Sequence, residues 1–133
     1  MEFVDFDLAK KLKEKGFNEP CYAFYTEHGS LQWNNIDTYY RPNQEISLED
    51  LTNTYNDGNS ICLTDAPTIS QVLKWLMDEK KIAINIEFIP YAWQYKIIDM
   101  SFDRRFEPYG ITLFSDYKEA AIAGIEYVLD NIL

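Results

Sequence analysis

The sequence predicts an α+β fold: one domain over residues 1–133, in which an antiparallel sheet of about four or five strands, built from two hairpins, is packed by three helices. Three observations predict it. Two stretches place runs of strand-forming residues on either side of short turns. Three others carry helical periodicity with capping residues at their starts. The two kinds alternate in the order α-β-β-(irregular)-α-β-β-(short β)-α. With 133 residues, of which 47% are hydrophobic and 26% charged, the composition is that of a folded globular chain. At this length roughly two-thirds of the unfolded surface leaves water on folding, without help from disulfides or metals. No linker, low-complexity tract or convincing internal repeat divides the chain.

Each element has its own warrant. Asp5 to Gly16 reads as a short amphipathic helix: Leu8 and Leu12 share a face, acids precede bases along the dipole, and Gly16 is a natural stop. After the Asn18-Glu19-Pro20 turn, Cys21 to Thr26 is rich in strand formers. His28-Gly29-Ser30 separates it from a second strand candidate, Leu31 to Ile36, which makes a hairpin. Asp37 to Asp65 is the least regular stretch, with a capped helical turn at Ser47-Leu48-Glu49-Asp50 and a turn signal at Asn56-Asp57-Gly58-Asn59. Pro67 then suits a first helical turn, Thr68 and Gln71 suit a capping box, and Ile69, Val72, Leu73 and Leu76 form an apolar stripe running to about Glu79. Ile82 to Phe88 and Ala92 to Ile98 alternate with period two around Ile89-Pro90-Tyr91, which predicts the second hairpin. Ser101 to Gly110 reads as a polar and aromatic loop, and Ile111 to Phe114 as a short edge strand. Ser115 is expected to cap a final helix that carries Tyr117, Ala121, Ile125, Val128 and Ile132 on or near one face, with Gly124 allowing close packing.

Charge and cysteine content narrow the function classes. The formal net charge is −10, which argues against direct binding of nucleic acid or of an anionic membrane, since phosphate contacts depend on Lys and Arg. The acids are unevenly placed: residues 21–66 hold Glu27, Asp37, Glu45, Glu49, Asp50, Asp57 and Asp65 against the single base Arg41, which reads first as a solvated, solubilising surface and alternatively as a patch facing a basic partner. The N-terminus has no basic region followed by an apolar core, and no apolar stretch approaches membrane-spanning length. A soluble, cytoplasmic protein is expected. Cys21 and Cys62 fit no metal-binding or redox spacing and are expected to be reduced, with burial as the simplest reading.

No constellation names a reaction. His28, the single histidine, lies in a turn, which excludes a multi-histidine metal site, and a Cys21–His28 pair would lie at opposite ends of one strand. The stretch beginning Asn53 places Gly58 at the sixth position of a calcium loop but fails at Asn53, Tyr55 and Thr64. The five glycines form no phosphate-cradling cluster. No catalytic, cofactor-binding or metal-binding residue is assigned, and no cofactor is expected. Trp75, Trp93 and Tyr95 are expected in the core. Tyr39, Tyr40 and Arg41, and Phe102, Arg104, Arg105 and Phe106, fall instead in expected loops. Large aromatics beside arginine there have the composition of protein-interface anchors, and they are the candidate site.

The segments Ala66-Pro67-Thr68-Ile69-Ser70-Gln71-Val72-Leu73-Lys74-Trp75-Leu76 and Tyr117-Lys118-Glu119-Ala120-Ala121-Ile122-Ala123-Gly124-Ile125-Glu126-Tyr127-Val128-Leu129 carry a resemblance. Over about residues 20–133 the chain resembles small proteins of bacterial prophages and related mobile elements. The resemblance implies a bacterial or phage cytoplasmic setting. It implies no activity and transfers no catalytic residue.

The preferred reading is a non-enzymatic accessory or protein-binding module that acts through the two aromatic, arginine-bearing loops and the acidic 37–65 region. One alternative is an acidic inhibitor that imitates nucleic acid and occupies a basic protein. Another is an enzyme built from carboxylates with Tyr or Arg in a deep pocket.

Overall fold

The computed structural model describes residues 2–33, 62–101, 104–106 and 113–133; at residue 62 and at 104–106 it describes the backbone. The chain divides into two compact units, Phe3–Thr68 and Ile69–Leu133, the latter including Glu2.

In the first unit, helix α1 (Phe6–Glu14) begins where Asp5 Oδ1 accepts the Leu8 N–H at 2.8 Å. That bond satisfies one of the helix's free donors. Leu8, Ala9 and Leu12 are buried, and Lys11 and Lys13 occupy the last turn, where the dipole favours cations. Gly16 ends the helix at φ +95°, a conformation only glycine adopts without strain, and the next N–H, of Phe17, returns to the Leu12 carbonyl at 2.9 Å.

Strands β1 (Ala23–Thr26), β2 (Leu31–Trp33) and β3 (Cys62–Ala66) form an antiparallel sheet with β1 at its centre. The hairpin turn is tied by Thr26: its N–H donates to the Ser30 carbonyl, and its Oγ1 accepts from the His28 and Ser30 amides. Helix α1 covers one face of the sheet. The Tyr25 hydroxyl donates to the Val4 carbonyl at 2.6 Å, and Thr64 Oγ1 donates to the Ala9 carbonyl at 3.4 Å.

In the second unit, helix α2 (Ile69–Lys80) buries Ile69, Val72, Trp75 and Leu76. Strands β4 (Ile82–Ile89) and β5 (Ala92–Asp99) pair over their full length, and β6 (Arg104–Phe106) adds to the far side of β5, giving the order β4-β5-β6. Helix α3 (Tyr117–Asn131) lies against β4, β5 and α2. Gly124 is the contact point: a Cβ there would lie 2.9 Å from Ile84 Cγ2 and 3.2 Å from Tyr95 Cγ, so glycine sets how closely helix and sheet approach.

The α+β class, the three helices and both hairpins are present as expected. Three expectations change. The strands form two sheets of three, because each hairpin takes a third strand from a stretch expected to be irregular or a loop: β3 from the end of 37–65 and β6 from 101–110. The start of α3 shifts by one residue. Asp116 Oδ1 accepts the Glu119 N–H at 2.7 Å and is the cap, while Ser115 donates from N and Oγ to Glu119 Oε2. Of the expected edge strand 111–114, Phe114 makes an isolated two-bond bridge with Trp93, each N–H donating to the other's carbonyl at 2.9 Å. Residues 111 and 112, the helical turn at 47–50 and the turn at 56–59 lie outside the described residues.

Candidate functional site

Among the described residues of the second unit, the exposed aromatics lie at or near the tip of the β4–β5 hairpin. Alternation puts Ile82, Ile84, Ile86 and Phe88 on one face of β4, and register places Asp99, Ile97, Tyr95 and Trp93 opposite them. Near α3 this face is core: Ile97 is fully buried and Tyr95 nearly so. Burial, together with Tyr127 beside it, holds the Tyr95 hydroxyl pKa above its ordinary value.

Toward the tip the same row emerges from the core. Phe88 packs against Trp93 with ring centroids 5.1 Å apart, and Trp93 meets Tyr117, the first residue of α3, edge-on at 5.6 Å. Such tilted and edge-on pairs are favourable ring geometries. Phe88 nevertheless remains 64% exposed, Tyr117 47% and the neighbouring Leu113 51%. Between the strands Pro90 and Tyr91 make a two-residue turn, and Tyr91 is 100% exposed with φ +72°. A tight hairpin turn that needs positive φ ordinarily uses Gly, Asn or Asp. A tyrosine there costs about 1–2 kcal/mol of backbone strain and recovers nothing by burial.

The residues singled out from sequence fare differently. Tyr39, Tyr40, Arg41 and Phe102 lie outside the described residues. Arg104, Arg105 and Phe106 lie not in a loop but on β6, opposite Asp99, Ile98 and Ile97 respectively. That places them roughly 13–20 Å along β5 from Trp93 at the tip, so they and the exposed rings do not form one cluster. Phe88, Tyr91, Trp93 and Tyr117 were not singled out as an exposed set. The signal for them was the Pro90-Tyr91 turn itself, a bulky aromatic where a hairpin of this length favours a small residue.

Of the acidic stretch, Asp37, Glu45, Glu49, Asp50 and Asp57 lie outside the described residues. Glu27 lies 3.5 Å from His28, whose side chain is 83% exposed. Asp65 does not belong to a solvated patch. On β3, opposite Phe24, it has a buried Oδ1 with no hydrogen-bond partner, and this burial pushes its pKa up to about 6 against the opposing pull of Lys13. Cys21 is buried, its Sγ 3.3 Å from the Glu19 carbonyl oxygen, and β1 separates it from His28.

Among the described residues no three His, Cys, Asp or Glu side chains gather as a metal site requires, and no helix is long and apolar enough to cross a membrane. Compared with protein-family models, curated proteins and solved structures, the chain matches none.

Proposed function

We propose that this chain is a protein-binding module whose contact surface is the aromatic tip of the β4–β5 hairpin. The observation that carries the reading is Tyr91, fully exposed and in a strained backbone conformation. Strain of this kind persists where another function retains the residue, and a rigid amphipathic ring on a tight turn is the kind of side chain that dominates binding energy when it enters a partner's pocket. Phe88, Trp93 and Tyr117 supply a continuous apolar row at the same end of the hairpin, held by ring packing and by the Trp93–Phe114 backbone bridge. The chain's net charge of −10 favours a partner whose rim is basic.

Photocrosslinking tests the reading. A benzoylphenylalanine is placed at position 91 or 117, with position 14 on α1 as an exposed control, and the labelled proteins are irradiated in cells. The expected result is one discrete adduct, shared by positions 91 and 117 and absent at 14, which unlabelled wild type suppresses and Tyr91→Gly does not. No adduct with another protein, or such an adduct also formed at 14, overturns the reading.

A further inference from the structure

The geometry points to a second interaction surface, which shares Phe88 with the aromatic tip but does not use Tyr91: the free edge of β4, along which two copies of this chain pair antiparallel about a two-fold axis through Asn85.

Backbone alternation defines this edge. The two-residue turn closes on the opposed pair Ile89 and Ala92, and at the other end the Met100 N–H donates to the Lys81 carbonyl at 2.8 Å. Residues 81, 83, 85, 87 and 89 therefore direct their backbone groups toward β5. The same alternation on β5 is visible at Trp93, which exchanges both its bonds with Phe114 on the opposite side. The N–H and C=O groups of Ile82, Ile84, Ile86 and Phe88 point away from β5, and among the described residues no strand pairs with them.

Proteins ordinarily blunt such an edge with short length, charge, proline or a bulge. Two of the other sheet edges have a feature of this kind. Strand β6 carries Arg104 and Arg105. On β3, Lys13 Nζ donates to the Leu63 carbonyl at 2.8 Å, and the register against β1 shifts between Tyr25 and Thr26. Strand β4 runs eight residues in unbroken register, without proline.

The edge is complementary to itself in one register. Antiparallel pairing must match outward-directed residues with outward-directed residues, and only a two-fold at position 85 gives all four of them a partner. Ile82 then lies opposite Phe88 of the second copy, and Ile84 opposite its Ile86. Ala83 faces Glu87, and Asn85, which is exposed, faces Asn85. The two asparagine side chains come within reach of amide–amide hydrogen bonds, and no like charges stand opposite each other.

Local charge permits this approach. Residues 82–98 contain one acid and one base, Glu87 and Lys96, which pair with each other at 3.6 Å. The edge is thus a neutral strip on a chain of net charge −10, and the copies repel only at longer range, where salt screens them. Self-association is expected to strengthen as salt rises, the opposite of charge-driven binding.

Sedimentation of the purified chain at increasing concentration, in low and in high salt, tests the inference with three variants. Wild type is expected to dimerise, more tightly at high salt, with slowed amide exchange at Ile84 and Ile86. Asn85→Lys and Asn85→Asp each place like charges across the axis at an exposed side chain and are expected to weaken association at least about tenfold. An equimolar mixture of the two is expected to restore a dimer containing one of each. Tyr91→Gly is expected to dimerise as wild type does, which separates this outcome from that of the proposed partner surface. A chain that stays monomeric at all concentrations, or a dimer that both Asn85 variants leave intact, overturns the inference.

Discussion

The two sheets have the same number of strands, the same antiparallel pairing and a helix against one face, yet they manage their polar groups in opposite ways. In the β2-β1-β3 sheet the exceptional group lies inside: Asp65 on β3 has a buried, unpartnered carboxylate oxygen, while the backbone edge beside it is capped by Lys13. In the β4-β5-β6 sheet the exceptional features lie outside, in an eight-residue edge that no strand pairs among the described residues and in a strained aromatic tip. The difference teaches where each unit gives up stability. The first carries its cost in an interior charge, which pH controls. The second carries it on surfaces that another chain can occupy.

Substitutions can break or sharpen this contrast. The largest effect is expected from Phe24→Ala on the central strand β1, where the ring is 1% exposed; loss of a buried aromatic costs about 3–5 kcal/mol, read from the denaturant midpoint. Next is Gly124→Val, whose Cβ has no room between Ile84 and Tyr95; overpacking there is expected to cost about 3 kcal/mol in thermal or denaturant unfolding.

Asp65→Asn is expected to stabilise. The folded pKa of about 6 lies above the ordinary value of 3.8. The protonated acid is therefore favoured by folding, and the penalty is absent below about pH 4, grows as pH rises and is complete above about pH 6. A shift of this size corresponds to about 3 kcal/mol, which partial solvent screening of the carboxyl reduces to about 1–2 kcal/mol. Wild type is expected to lose that stability between pH 4 and pH 6, and Asp65→Asn to lose none of it; parallel pH profiles for the two proteins would contradict the account. The smallest effect is expected at the tip, where Tyr91→Gly should gain about 1 kcal/mol by relieving the positive φ. A loss of stability there would mean that the tyrosine is retained for folding and not for contact.

The same contrast explains what was legible in the sequence. Elements that bury one apolar face announced themselves: Leu8 and Leu12 in α1, Ile69, Val72 and Leu76 in α2, and the alternating β4–β5 hairpin. Strand β3 did not, because it inverts the usual pattern. Thr64 points inward and bonds to the Ala9 carbonyl, while Leu63 is 40% exposed. Strand β6 was hidden for another reason: Arg104-Arg105 has little strand propensity, and its place is decided by the backbone groups that β5 offers on that side.

The candidate site was legible only in kind. Aromatics were expected at a surface, but attention fell on those next to arginine in sequence. The structure gathers Phe88, Trp93 and Tyr117 from two strands and a helix, a juxtaposition that period-two spacing makes half visible and the start of α3 completes. At Ser115 and Asp116, two adjacent residues that both cap helices well, sequence alone had no means of choosing.

The order of strands in the first sheet also bears on how the protein reaches its fold. Strand β1 meets β2 across a four-residue turn but meets β3 only after the chain has travelled from Thr26 to Cys62. Closing that longer connection costs about 2 kcal/mol more in chain entropy than closing the turn, at about 0.6 kcal/mol per doubling of length. The β4–β5 hairpin, whose two strands pair across a two-residue turn, carries no such burden and is a natural early nucleus. On a ribosome, where the N-terminal residues emerge first, the sheet that begins to appear earliest must therefore wait for Ala66, while the later-synthesised hairpin forms as soon as its second strand is free.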